Sequence, residues 1–249
     1  FVALAEAIRD DVIAFGGSVH TGVEVEGISA IPRRVEIATR GGATVTTGSA
    51  IICAGLQSDR LARAAGGAAE PAIVPFRGEY MSLAGPAKDL VNGLVYPVPD
   101  PRYPFLGVHF TPTVHDEVLI GPNAVPALSR EGYRWRNVDA RFIAETVRQP
   151  GMWRVAARHG RRGAIEAWRS LNRRAYVREL QRYVPAIQVG DLIRATAGVR
   201  AQAVDRGGNL LTDFVVARNG RVVAVRNAPS PGATAALALA EEIVATVPG

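Results

Sequence analysis

Four short stretches of the 249-residue sequence carry side chains or turns able to do chemistry. AGVRAQA, residues 197–203, sets Arg200 after a Gly-Val step, and a guanidinium there can grip a carboxylate through two parallel hydrogen bonds. PFRGEY, residues 75–80, puts Arg77, Glu79 and Tyr80 on one strand, and GVHFT, residues 107–111, offers His109. IICAG, residues 51–55, is a buried apolar strand running into Cys53, Ala54 and Gly55, a small-residue turn where a ligand can approach the backbone. On spacing alone Arg77 and His109 read first as structural residues, a satisfied internal arginine and a partly buried, hydrogen-bonding histidine.

The C-terminal stretch RNAPSPGATAALALAEEIVATV, residues 226–247, raises a different possibility. Ala233, Leu237, Ala240, Ile243, Val244 and Val247 recur at helical spacing. Ser230 is placed to cap that helix, Pro231 suits its first position, and Gly232 admits close approach to the backbone. Free N–H groups and the positive end of the helix dipole would then face a spot with little side-chain bulk, suited to an anion or an electron-rich ring. The plainer reading is a well-capped terminal helix.

Three blocks must position these residues. Residues 1–70 alternate an amphipathic helix, with Phe1, Leu4, Ile8, Val12 and Phe15 on one stripe, a strand over SVHTGVEVEGI, a hairpin around Gly41-Gly42, the strand SAIICAG, and a helix opening at Ser58-Asp59. Residues 71–190 begin with extended segments, among them FLGVHFT, whose alternation puts Leu106, Val108 and Phe110 opposite Phe105, Gly107, His109 and Thr111. Helices are predicted there near 139–149, 151–159 and 163–183. Residues 191–249 return to strands and the terminal helix. The order predicts an α/β (α+β) chain, in which one discontinuous domain, 1–70 with 191–249, is interrupted by an antiparallel-sheet domain, 71–190.

Composition is that of a globular chain, with 48% hydrophobic and 21% charged residues. The single cysteine, Cys53, excludes an internal disulfide and a cysteine-based metal cluster and suits a reducing compartment. The net charge of +6 rests almost wholly on arginine, since Lys88 is the only lysine among 29 basic residues. Nine arginines fall between Gly151 and Arg182. Ile165, Trp168, Leu171, Ala175 and Leu180 form an apolar stripe through them, so the arginines are expected on a solvated face. That basic face could also meet anionic lipid or an acidic substrate. No nucleic-acid-binding module accompanies the charge.

Taken in order, CAGLQSDRLA, PFRGEY, YPVPDPRYPFLGVHFT, GPNAV, REGY, RSLNRR, YVPAI, GVRAQA and NAPSPGATAALALAEEI resemble the FAD-dependent L-2-hydroxyglutarate oxidases and dehydrogenases of the D-amino acid oxidase fold. The resemblance covers essentially the whole chain. It implies a Rossmann-like FAD-binding domain and a substrate domain whose antiparallel sheet covers the flavin. The reaction implied is oxidation of L-2-hydroxyglutarate to 2-oxoglutarate, with electrons passing to oxygen or a respiratory quinone. The family pattern puts Val25 near the adenine and Cys53, Ala54 and Gly55 near the dinucleotide. It sets Gly198, Val199 and Arg200 at the flavin, and Asn227, Pro229, Ser230, Pro231, Gly232, Ala233 and Thr234 toward its pyrimidine side.

In that setting His109 is the candidate base, because a neutral imidazole is available near pH 7. Arg200 would pair with the C1 carboxylate, and Arg77 with Tyr80 would hold the second carboxylate. No G-x-G-x-x-G turn occurs between a strand and a helix, so the chain is expected to be a C-terminal portion lacking the segment that supplies the first βαβ unit. The competing readings are an amino-acid oxidase of the same fold and an inactive fragment acting only as a binding module. The expected location is the cytoplasm, with peripheral contact to the inner membrane through the basic helix at 163–183.

Overall fold

In a computed structural model, residues 1–98 and 107–248 are described. They form two compact units, Phe1–Ala69 with Asp213–Gly249, and Glu70–Thr212. The first unit opens with α1 (Val2–Ala14), β1 (Val25–Ile31), β2 (Arg34–Thr39), β3 (Thr44–Thr47), β4 (Ala50–Ile52) and α2 (Ser58–Ala64). The second holds β5 (Ala72–Leu83), β6 (His109–Pro112), β7 (Val118–Gly121), β8 (Val125–Pro126), α3 (Ala140–Val147), α4 (Pro150–Leu171), α5 (Arg173–Leu180) and β9 (Leu192–Val204). The chain then returns to the first unit with β10 (Val215–Asn219), β11 (Val222–Asn227) and α6 (Ala236–Ala245).

The domain boundary differs from the expected one at residue 190. β9 pairs antiparallel with β5 from Ala72↔Val204 to Leu83↔Leu192, so the second unit closes at Thr212. Gly198, Val199 and Arg200 therefore belong to the antiparallel unit.

In the first unit β1, β2 and β3 form an antiparallel sheet, and Gly41 and Gly42 turn the hairpin at φ 103 and 86. β11 pairs antiparallel with β10 and parallel with β4. Ile28, Val35, Ile52, Ala62, Val222 and Ala224 make the core. The stripe expected to bury α1 does not, since no residue of that helix is buried. β1 begins at Val25, later than the strand predicted from Ser18.

Neither α2 nor α6 starts with a side-chain cap, so the cap expected of Ser230 is absent. Ser58 donates its hydroxyl to Gly55 O at 2.8 Å, and the fully buried Asp59 pairs with Arg63 at 3.0 Å. α6 starts at Ala236 with no side-chain cap. Ser230 and Pro231 lie upstream in a separate turn, where Gly232 N–H donates to Pro229 O at 2.8 Å and Ala235 N–H to Pro231 O at 3.0 Å.

The second unit's sheet runs β6-β7-β5-β8, with β9 on β5. One sheet face buries Met81, Leu83, Phe110 and Ile120 against Tyr176, Val177 and Leu180 of α5. α4 passes through Gly160 and Gly163 without the predicted break and ends at Leu171. The Asn172 side chain then caps α5, accepting from Ala175 N–H at 3.1 Å. The predicted stripe is thereby divided: Ala175 and Leu180 are buried, while Ile165 and Trp168 on α4 are exposed.

Candidate active site

Strand parity decides which side chains meet. Along β5, Arg77, Glu79, Met81 and Leu83 project from one face and Phe76, Gly78 and Tyr80 from the other. Met81 and Leu83 join the core under α5. Arg200 lies directly opposite Phe76, and Gly198 opposite Gly78, so both share the face of Tyr80. Phe110 and Ile120 pair on the core side, which sends the neighbouring His109, opposite Gly121, to the Tyr80 face as well. The expected alternation holds over Val108 and Phe110, both buried, while Phe105 and Leu106 lie outside the described residues.

The sheet thus brings Tyr80, His109 and Arg200 together and adds Tyr96, whose ring stacks on the His109 imidazole at 4.3 Å between centroids and 14° between planes. His109 Nδ1 lies 3.2 Å from Gly107 O. A carbonyl only accepts, so Nδ1 carries the proton in the neutral ring and Nε2 keeps its lone pair. Burial pushes the His109 pKa down, the Gly107 carbonyl pushes it up, and the Arg200 charge lowers it. Burial raises the Tyr80 phenol, against the pull of Arg200 and with the help of Tyr96. Beside this cluster Gly198 is exposed, and an added Cβ there would meet nothing within 4 Å. The sheet surface next to Arg200 is therefore open to a flat ligand.

Arg77 is not brought to this cluster. Its side chain is only 2% exposed and points to the opposite face, where its Cζ sits 3.9 Å above the Trp135 ring and its Nε lies 3.6 Å from Glu79 Oε1. Loss of solvent lowers its pKa and the Glu79 charge opposes that shift. Glu79 is held in turn: its N–H donates to Asn123 Oδ1 at 2.8 Å, and its Oε2 accepts from Asn123 Nδ2 and the Ser170 hydroxyl. Val199 lies opposite Arg77 and so shares the Arg77 face. Tyr96 was missed because no period links it to His109. Its only sequence signal is its place in the aromatic- and proline-rich stretch before GVHFT.

The remaining candidates lie in the first unit. Val25 opens β1 and packs, half-buried, against its core. Cys53, Ala54 and Gly55 follow β4; Gly55 has φ +49, with nothing within 4 Å of the Cβ position. Burial raises the pKa of the Cys53 thiol. Asn227 is buried and donates Nδ2 to Asp213 O at 2.8 Å, while Ser230, Pro231, Ala233 and Thr234 in the turn beyond it are exposed, and Pro229 and Gly232 half-buried. Thr234 turns its hydroxyl inward to Pro231 O at 3.0 Å.

The profile of the FAD dependent oxidoreductase family, DAO, matches residues 2–246. An L-2-hydroxyglutarate dehydrogenase of Salmonella houtenae is 42% identical over 98% of this chain and 58% of its own length. A mitochondrial one of Nematostella vectensis is 42% identical over 96% and 57%. The chain thus spans a little over half the length of the curated relatives it matches. Among solved structures, FAD-bound L-alpha-glycerophosphate oxidase of Mycoplasma pneumoniae superposes at TM-score 0.59 with 22% identity, over 89% of this chain and 49% of that one. Glycine oxidase of Geobacillus kaustophilus gives 0.58 with 18% identity, over 99% and 54%. The matched span and the relatives' identity together establish that this chain belongs to the FAD-dependent oxidoreductase (DAO) family.

Proposed function

We propose that the chain carries the substrate-binding sheet of an FAD-dependent enzyme that oxidises L-2-hydroxyglutarate to 2-oxoglutarate. The observation that carries this reading is the meeting of His109, Arg200 and Tyr80 on one sheet face. The names of relatives about 40% identical support the choice of substrate. In the first unit the open Cβ position at Gly55 and the largely exposed turn at 229–234, and in the second the open Cβ position at Gly198, each leave room for part of a flavin nucleotide. Val25, Cys53, Ala54, Gly55, Gly198, Asn227, Pro229, Ser230, Pro231, Gly232, Ala233 and Thr234 are the residues that would hold it, and Val199, with its side chain on the Arg77 face, would do so only through its backbone. The sequence supplies no glycine-rich pyrophosphate turn.

When bound, FAD supplies a two-electron acceptor at N5. The chain's own residues do the rest. Arg200 pairs with the C1 carboxylate through two hydrogen bonds and sets the α-carbon. His109 Nε2 accepts the hydroxyl proton as the α-hydride leaves, so the C–H bond is lost, the C=O bond forms and the ring becomes an imidazolium. Tyr80 donates its phenol to a substrate oxygen. With Arg77 on the other face, this reading gives the second carboxylate to Tyr80 alone of the expected pair.

Oxygen or a respiratory quinone would take up the electrons. Peripheral membrane contact through the basic segment 163–183, which spans the end of α4 and α5, is part of the same reading, supported by exposed Ile165 and Trp168 and, earlier on α4, exposed Trp153. Among the described residues no helix is long and apolar enough to cross a membrane.

The test is anaerobic bleaching of the flavin absorbance in FAD-loaded protein. L-2-hydroxyglutarate should bleach it, and the D enantiomer and glycine should not. Bleaching by a neutral amino acid alone would replace the proposal with an amino-acid oxidase, and failure to retain FAD would leave only a binding module.

A further inference from the structure

We infer that Tyr96 is a positioning residue for His109, holding the imidazole in the plane and tautomer that leave Nε2 free toward the substrate. The inference rests on the reading of His109 as the base. Two contacts restrain the ring. Gly107 O takes the Nδ1 proton at 3.2 Å and selects the tautomer. The Tyr96 ring lies nearly parallel at 4.3 Å, a stack that blocks rotation about the second side-chain torsion and keeps water from one face.

The backbone alone would not restrain it. The residue opposite His109 is Gly121, which has no side chain to pack against the imidazole, and Gly198 leaves its own Cβ position open. Tyr96 is thus the aromatic partner of a ring whose cross-strand neighbour is a glycine. Among the described residues, the groups that face His109 are Arg200 from β9, Tyr80 from β5 and Tyr96 itself. An imidazole free to rotate would trade the Gly107 bond for water and present Nε2 off line, and a displacement of about 1 Å costs up to a hundredfold in rate.

The experiment uses nitrogen-15 spectra of the imidazole in FAD-loaded protein, which read tautomer and titration without turnover. Wild type and Tyr96→Phe should show a single Nδ1–H form that titrates below the ordinary histidine range. Tyr96→Leu should show mixed tautomers titrating closer to that range, with flavin reduction slowed about tenfold, less than the hundredfold expected for loss of the base. Unchanged His109 spectra in Tyr96→Leu would overturn the positioning role and leave the base assignment standing. Normal flavin reduction by His109→Ala would overturn the base assignment itself, on which the inference depends.

Discussion

Arg77 and Arg200 look alike in the sequence, an arginine within two residues of a glycine on a strand, yet the sheet gives them opposite duties. Arg200→Ala should raise the KM for the dicarboxylate severely while FAD stays bound. Arg77→Met should leave KM near normal and lower stability by about 0.5–3 kcal/mol, since it removes the cation beside Glu79 and over the face of Trp135. Steady-state kinetics beside chemical denaturation separate the two. The reverse pattern would return Arg77 to the substrate. Strand parity made this partly legible beforehand, because residues 77 and 80 are three apart and cannot share a face of a regular strand.

At the same scale, the pH dependence of flavin reduction follows from the state of His109. The base works only when neutral, and burial with the Arg200 charge holds its pKa below the ordinary value of about 6.5. Reduction should therefore stay on its plateau as pH falls through that value and decline only below it. Removing the Arg200 charge takes away one lowering influence, so the acid limb should move upward in Arg200→Ala. Stopped-flow reduction across pH checks both, and a wild-type limb above the ordinary value would count against a buried neutral base.

Among the elements, β5 determines the site. Met81 and Leu83 fill the core under α5, Val74 and Phe76 pack on Val155 of α4, Tyr80 faces the chemistry, and Gly78 lets β7 and its following turn close over it. A Cβ at Gly78 would come within 2.5 Å of Pro122 Cβ and 3.1 Å of Asn123 O. The proline ring cannot swing aside, so Gly78→Ala should cost about 1–3 kcal/mol. It should also push the Gly121 backbone away from His109, slowing flavin reduction beyond what lost stability explains. Thermal melting with single-turnover kinetics at a temperature where the variant is folded tests this, and an unperturbed rate would show that β7 does not set the histidine.

The periodicity of β5, β7 and the hairpin at Gly41 was legible because alternation and turn glycines are local. The break between α4 and α5 was not. Glycines at 160 and 163 suggest an end, but a glycine in a helix costs only about 1 kcal/mol, and the side-chain cap at Asn172 decides it.

For the whole molecule, the boundary at Thr212 was hidden because β9 finds its partner more than a hundred residues earlier, and no local pattern records such a pairing. The net charge of +6 was plain, but its use depends on where apolar side chains sit among the arginines. The stripe expected to bury α4 leaves Ile165 and Trp168 exposed, and Trp153 stands on the same helix 62% exposed. Buried tryptophans would have made the arginines an ordinary solvated face. Exposed ones give the helix what an interfacial contact needs, apolar rings at headgroup depth beside cations worth about 1 kcal/mol each near an anionic surface. Sedimentation with vesicles of anionic phospholipid should pull the protein down at low salt and release it as ionic strength rises. Trp153→Ser with Trp168→Ser should weaken binding even at low salt, while uncharged phosphatidylcholine vesicles should bind little. Equal binding to both lipids, or none to either, would confine the arginines to solvation and leave the electron acceptor to be sought in solution.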